Sequence, residues 1–523
     1  MRRGRWSLQR RLCRGALNIL ALGAWGASSE GTGLGPATPF TDVTAAAGIN
    51  AAHHIRYMVT GQAWGDYDRD GFPDLYVTDS GGPNSLYYNN GDGTFSLSPH
   101  SGTVTLLAQE SGGAVFADYN NDGWPDLYVL NRGPNTLFRN DSGQGFTDVT
   151  ATAGVGDIGE GESATWGDYN QDGWPDLYVV NWYYYSDESS PLSRDTLYRN
   201  NGDGTFTDVS SLLDIPRLMG PGFAATFVDY DNDGDQDLYV VIDHYWGNLL
   251  FRNDGPGCSG WCFTDVSVAA GADRPICGMG IATGDYDNDG DMDFYFSGCW
   301  EQALLQNQTS QGSPSFVEVS VAAGVTPPVI GWGVNFFDYD RDGFQDLYLA
   351  AALDRNHLFR NRGDGTFESI VAGSGADDPG FSLGSAMADY DRDGRPDVVV
   401  GNHGVGYALY RNTGTDDHHW LSLRLRGRGR VPRDAFGTRV SVVLSDGRVL
   451  TQEVTSDTSL GAGNDLPLFF GFGTAAPILL RIVWPGGYTE YHTSFPLDSH
   501  WDHTYPLLFS DGFESGDTSA WSG

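Results

Sequence analysis

DYDRDGFPD, residues 66 to 74, lies between QAWG and LYVTD. Its acids fall at positions 1, 3, 5 and 9 and its glycine at position 6, and the flanking segments alternate as a strand with one buried face does. An acidic loop therefore joins two strands. The pattern, always with tyrosine second, returns at Asp118 (DYNNDGWPD), Asp168 (DYNQDGWPD), Asp229 (DYDNDGDQD), Asp285 (DYDNDGDMD), Asp338 (DYDRDGFQD) and Asp389 (DYDRDGRPD), at spacings of 52, 50, 61, 56, 53 and 51 residues. Most copies continue into a second hairpin, NTLFRN to FTDV in the second and DTLYRN through NGDG to FTDV in the third, giving four strands per unit. A repeat of this length with glycine-rich turns fits one propeller blade. The expected fold is all-β: a seven-bladed β-propeller over residues 40–412, followed by a small β-rich domain. Helical solenoids need apolar spacings of three and four, which these segments lack. The seventh copy ends at YALYRN without an FTDV, while Phe40, Thr41, Asp42 and Val43 supply one ahead of the first loop. That N-terminal strand is expected to complete the seventh blade.

In each loop the side chains at positions 1, 3, 5 and 9 and the carbonyl at position 7 can converge on one point, a set of hard oxygen donors suited to calcium. The expected ligands are Asp66, Asp68, Asp70 and Asp74; Asp118, Asn120, Asp122 and Asp126; Asp168, Asn170, Asp172 and Asp176; Asp229, Asp231, Asp233 and Asp237; Asp285, Asp287, Asp289 and Asp293; Asp338, Asp340, Asp342 and Asp346; and Asp389, Asp391, Asp393 and Asp397. Up to seven ions follow. Turn chemistry alone asks for no such set, because each pair of carboxylates at roughly 4 Å costs about 1 kcal/mol in water and about 4 kcal/mol near a protein surface. Magnesium retains its waters and suits these loops less.

The repeat resembles the FG-GAP/VCBS repeat of integrin-alpha-type propellers, over roughly residues 40 to 412. The resemblance implies seven blades with calcium loops between the first two strands of each. EF-hand loops share the first six positions, but here aspartate at position 9 replaces glutamate at 12 and strands replace the flanking helices. After residue 416, HHWLSLRLRG, RDAFGTRVSV, FFGFG and RIVWPGG resemble the ASPIC/UnbV domain of the cartilage acidic protein family, over residues 417–495. SDTSLGAGNDLP departs from the serine- and glutamine-rich stretch that family carries. Arginines 424, 426, 428, 430, 433 and 439 either form a solvated strand face or dock on the acidic propeller; docking is the preferred functional reading. The tail, 496–523, ends in LLFSDGFESGDTSAWSG, which resembles short C-terminal tails of proteins secreted by Gram-negative bacteria, so a bacterial source is expected.

Charge and composition bound the function. The 523 residues hold 68 acidic and 30 basic side chains, a formal net charge of −38 that repels nucleic acid. No lysine is present, which removes Schiff-base and P-loop lysine chemistry. Residues 1–29, with six arginines, an apolar run from Ala16 to Ala27 and small residues after it, read as a secretory signal peptide. No apolar run approaches the length of a transmembrane span. Export to the extracellular space, the cell surface or the periplasm is expected. It permits disulfides among Cys258, Cys262, Cys277 and Cys299, expected as Cys277–Cys299 and Cys258–Cys262 because each pair falls at one hairpin tip. The competing reading is a four-cysteine zinc site.

The eleven histidines are scattered and neither HExxH nor GxSxG occurs. The expected function is that of a secreted calcium-binding propeller acting as an extracellular binding or adhesion protein, with a protein or glycan ligand. The alternative is an extracellular carbohydrate-active enzyme, for which Glu160 and Glu162 offer one carboxylate pair. On the face opposite the acidic hairpins, Trp182, Tyr183, Tyr184, Tyr185, Tyr245, Trp246 and Trp300 fall on consecutive blades as a candidate ligand patch; packing beneath a long insertion is the competing reading.

Overall fold

The computed structural model describes residues 39–56, 59–182, 194–213, 220–258, 260–312, 314–371, 373–456 and 459–506. The leader, the end of the tail and the patch residues Tyr183, Tyr184 and Tyr185 lie outside them.

Residues 40–412 form seven sets of four antiparallel strands, the first of which is joined in its sheet by a fifth, parallel strand, Ala462–Gly463. In the second, Ser111–Ala117, Asp126–Asn131, Thr136–Asn140 and Phe146–Asp148 pair in sequence order, and each acidic loop joins the first strand of its sheet to the second. The first strand of every sheet packs on the first strand of the next, and that of the seventh, Ser382–Ala388, packs on that of the first, Gln62–Gly65. Phe40–Asp42 supplies the fourth strand of the seventh sheet, with Phe40 opposite Asn412, Thr41 opposite Arg411 and Asp42 opposite Tyr410. The arrangement is propeller-like. Sequence alternation predicts one buried face for the LYV strands, yet every residue of Asp74–Val77, Asp126–Asn131 and Asp176–Asn181 is buried. Each sheet is sandwiched between two neighbours, so both faces meet apolar side chains. Leu86 and Tyr76 of the first sheet pack with Leu127 and Val129 of the second, for example. Burying one such aliphatic or aromatic side chain contributes about 1.5–3 kcal/mol.

The second unit is also β. Trp420–Arg426 lies between Leu468–Gly471 and Ser499–Thr504, and a second sheet runs Val449–Glu453, Arg439–Leu444, Pro477–Val483, Thr489–His492. Ser499–Thr504 pairs parallel to Trp420–Arg426, so this unit runs past residue 495 to Thr504; a parallel partner about 80 residues away leaves no local signal.

Within SDTSLGAGNDLP, Ser456 and residues 459–464 enter the propeller. Ala462 and Gly463 pair in parallel with Gln62 and Ala63, and Leu460 is buried among Val59, Trp182, Phe223, Met279, Trp332 and Leu383, which come from six blades. The first strand of each blade is a sheet edge whose N–H groups need partners. The strap supplies them: the Trp166 amide donates to Ser456 Oγ (2.6 Å), that of Val334 to Ser459 Oγ (3.2 Å), that of Met387 to Asn464 Oδ1 (2.8 Å) and that of Ala114 to the Gly461 carbonyl (3.2 Å). A Cβ on Gly461 would stand 2.9 Å from the Glu162 carbonyl, and the residue has φ +57°, so only glycine fits this approach without strain.

The disulfide expectation is met in one of its two halves. Cys258 and Cys262 are bonded, with Cα atoms 5.5 Å apart. Cys277 and Cys299 are the other expected pair. Both residues are buried and meet through the backbone, the Cys299 amide donating to the Cys277 carbonyl at 3.1 Å.

Candidate metal centre in the acidic loops

Each loop is built from its own carboxylates before any ion is considered. The position 6 amide donates to the position 1 carboxylate in all seven copies, at 2.7 Å in Gly123→Asp118 and 3.1 Å in Gly71→Asp66. All seven glycines have positive φ between 84° and 97°, the backbone geometry that makes glycine necessary there. The position 9 carboxylate turns one oxygen toward the amide of an asparagine ending the third strand, as in Asn140→Asp126 (2.7 Å) and Asn412→Asp397 (2.7 Å).

That asparagine is a functional residue the sequence reading passed over. Asn89, Asn140, Asn200, Asn253, Asn307, Asn361 and Asn412 each donate from Nδ2 to the carbonyl of the loop tyrosine in the preceding blade, at 2.7–2.8 Å. Asn89 reaches Tyr390 of the seventh blade, so the girdle links every loop to the next. Its signal stood in the sequence as the invariant last letter of LYRN, LFRN, LLQN and LYYN.

The loops hold more carboxylate than positive charge, although Arg360 pairs with Asp340 (2.6 Å) and Asp342 (3.1 Å) and Arg411 with Asp391 (2.5 Å) and Asp393 (3.0 Å). Asp66, Asp68 and Asp70 present ligand oxygens within 4.8 Å of one another, as do Asp229, Asp231 and Asp237, then Asp285, Asp287 and Asp289, and Asp338, Asp340 and Asp346. Each of the seven loops also holds a buried carboxylate oxygen with no hydrogen-bond partner: Asp66 Oδ1, Asp126 Oδ2, Asp176 Oδ2, Asp231 Oδ1, Asp287 Oδ1, Asp340 Oδ1 and Asp389 Oδ1. Burial, reinforced by the neighbouring Asp434, pushes Asp118 up to about 8; burial and then Asp172 push Asp168 up to about 8. Burial first, then the other loop carboxylates, holds Asp293, Asp346 and Asp397 well above the carboxylate range. Several desolvated acids with oxygens turned to one point and no donor facing them fit a hard divalent cation, and the all-oxygen set is of the kind calcium takes. In loops two and three Asn120 and Asn170 keep an oxygen donor without adding charge.

The second unit lies against these loops. Arg439 donates to the Asp229 carbonyl, to Asn232 and to Glu453, whose carboxylate faces the Asp229 amide. Asp434 accepts from the Asp118 amide (2.7 Å), and Arg448 donates to the Asp342 carbonyl (2.7 Å). Arg424 pairs with Asp434 (3.2 Å) and Asp465 (3.6 Å) inside its own unit. Arg439 thus follows the docking version of the arginine reading, and Arg448, outside that set, docks as well, whereas Arg424 spends its charge on the carboxylates that accompany it. Between the two units a cavity of about 360 Å³ is lined by Asp66, Asp118, Arg69, Arg392 and Arg433.

The patch residues divide. Trp182 is 2% exposed, packs on Phe223 and donates from Nε1 to Asp243, so it belongs to the stopper around Leu460 and offers no ring to a ligand. Its strand ends where the blades converge, which the sequence could not tell from an exposed connection. Tyr245 is packed against the same cluster, and Trp246 and Trp300 are 38% and 55% exposed. Of the carboxylate pair, Glu162 is buried in a first strand and Glu160 stands 3.8 Å from Arg132.

Models of the FG-GAP-like repeat match residues 66–129, 118–179, 183–240, 229–296 and 338–400, and the ASPIC and UnbV model matches residues 428–506. Cartilage acidic protein 1 of Mus musculus is 24% identical over 475 residues, 82% of this chain and 70% of the relative. The human protein of that name is 27% identical over 265 residues, 46% of this chain; the match spans 38% of its length. Among solved structures, an Agrocybe aegerita lectin specific for non-reducing terminal N-acetylglucosamine aligns with TM-score 0.40 at 18% identity, covering 61% of this chain and 83% of its own. BBS1N in complex with ARL6DN aligns with TM-score 0.45 at 10% identity, covering 73% of this chain and 99% of its own. Among the described residues no helix is long and apolar enough to cross a membrane.

Proposed function

Since this chain belongs to the FG-GAP-repeat family and carries an ASPIC/UnbV domain, we propose that it is a secreted, calcium-loaded, closed seven-bladed propeller that serves as an extracellular binding or adhesion protein. The observation that carries the reading is the unpartnered buried carboxylate oxygen in every one of seven loops. A metal-free propeller would hold these acids at a cost that repeats around the ring. Bound calcium would neutralise them and fix the hairpin tips. The residues themselves orient the site: the position 6 amide holds the first carboxylate, the third-strand asparagine holds the last, and the loop tyrosine ties the site to its neighbour. The second unit covers part of the loop face, which leaves the opposite face, with Trp246 and Trp300, as the surface for a glycan or protein ligand.

Two measurements test this. Elemental analysis after dialysis against buffer with micromolar calcium should return several calcium ions per chain, up to seven; a calcium-free chain sinks the metal reading. Arrays of glycans and matrix proteins, probed in calcium and again in EDTA, should give calcium-dependent capture that Trp246→Ala with Trp300→Ala abolishes. Capture indifferent to both changes rejects the binding face.

A further inference from the structure

A second kind of metal chemistry stands in the C-terminal unit, away from the acidic loops. Glu490 and His492 are two residues apart on Thr489–His492 and share a face, while His503 lies on Ser499–Thr504, in the other sheet of that unit. The three meet: His503 Nε2 is 3.1 Å from Glu490 Oε2, His492 Nε2 is 3.4 Å from the same oxygen, and one ligand atom from each lies within 4.8 Å of the others. His492 Nε2 is buried and makes no hydrogen bond, although a carboxylate stands beside it. Donor separations of this size match a tetrahedral ion, for which bonds of about 2.0–2.1 Å place neighbouring ligand atoms roughly 3.3 Å apart. The other carboxylate oxygen is already held, because Trp484 Nε1 donates to Glu490 Oε1 at 2.6 Å. An outer donor of this kind fixes the orientation of a metal-binding carboxylate and leaves its second oxygen for the ion. The imidazoles stand edge to face, with ring centres 5.1 Å apart, and Trp501 packs on both.

We propose that Glu490, His492 and His503 bind one borderline divalent cation, zinc foremost, with the fourth position open to solvent. Two imidazole nitrogens and one carboxylate suit such an ion, whereas calcium takes oxygen ligands only. The three side chains come from the last strands of two different sheets, so the ion would fasten the end of the chain across the unit. This rests on no property of the acidic loops and stands whether or not they hold calcium.

The test uses the full chain in millimolar calcium, treated with the zinc-selective chelator TPEN and freed of it. Cobalt(II) titration should give one equivalent with the intense visible bands of a four-coordinate site, bleached by zinc. His492→Ala should weaken cobalt binding by roughly a hundredfold or more, and Trp484→Phe by roughly ten- to a hundredfold. Both variants should keep the calcium content of the parent. Weak six-coordinate cobalt spectra overturn the proposal, and so does one-equivalent binding that survives His492→Ala. Should His492→Ala fail to fold, Glu490→Gln, which keeps the shape and a hydrogen-bonding oxygen, replaces it under the same two criteria.

Discussion

The acidic loops and the strap of residues 459–464 are both polar inserts in the propeller, and they are stabilised by opposite means. The loops occur seven times, are rich in carboxylate and leave buried oxygens without donors. The strap, SLGAGN, occurs once, carries no charge and uses hydroxyl, amide and carbonyl groups to satisfy first-strand amides of several blades. A repeated element meets neighbours of its own charge, and the third-strand arginines offset only part of it, Arg360 pairing with Asp340 and Asp342 and Arg411 with Asp391 and Asp393. On the proposed reading an ion from solution supplies the balance, whereas a single-copy element can be matched to its surroundings group by group.

Calcium removal should separate the two most sharply. An ion bound at one hundred times its Kd contributes about 2.7 kcal/mol at each loop, so EDTA should lower the melting temperature steeply and expose the hairpins to protease. An unchanged melting curve with calcium demonstrably gone would erase the contrast. The calcium-free chain should also show an inverted pH dependence. Asp118 and Asp168 are raised to about 8 and Asp229 to about 7, chiefly by burial, from an unfolded value near 3.9. Protonated, these groups favour the folded state; that contribution is complete below about pH 4 and is lost as pH rises through about 7–8. Melting temperature without calcium should fall over this window, while in excess calcium, which needs the ionised ligands, it should hold or rise.

The N-terminal strand is single-copy like the strap and sharpens the comparison. Phe40 is 1% exposed and packs between Phe337 and Tyr339. Phe40→Ala should cost about 3–5 kcal/mol in urea unfolding, with calcium affinity kept. Deleting residues 30–44 should bare the edge of Gly406–Asn412 and promote aggregation; a soluble, equally stable deletion would remove the clasp. In the strap itself, Gly461→Val should cost about 1–3 kcal/mol through overpacking and leave calcium content alone. Loss of calcium in that variant would show that strap and loops are one cooperative unit. Asn200→Leu, which leaves the Tyr119 carbonyl unpaired, should cost about 1–3 kcal/mol and loosen calcium in the neighbouring loop. Smallest of all, Trp246→Ala with Trp300→Ala should stay within about 0.5 kcal/mol of the parent.

Much of the repeat was legible because each loop, strand and turn is written in residues a few positions apart and then written again. DYDRDGFPD names its own turn and candidate ligands, LYRN closes the same unit, and FTDV at residue 40 announces the strand missing after Asn412. The sequence by itself therefore determined the strand order of the blades, the seven candidate metal loops and the Cys258–Cys262 pair. Only the tertiary structure decided that the strap of residues 459–464 runs inside the propeller, that Trp182 is a stopper, and that Ser499–Thr504 pairs beside Trp420–Arg426. The physical reason is common to these cases. A parallel pairing across some 400 residues and a burial built from side chains of six blades depend on groups remote in sequence, and a single copy has no period to reveal them.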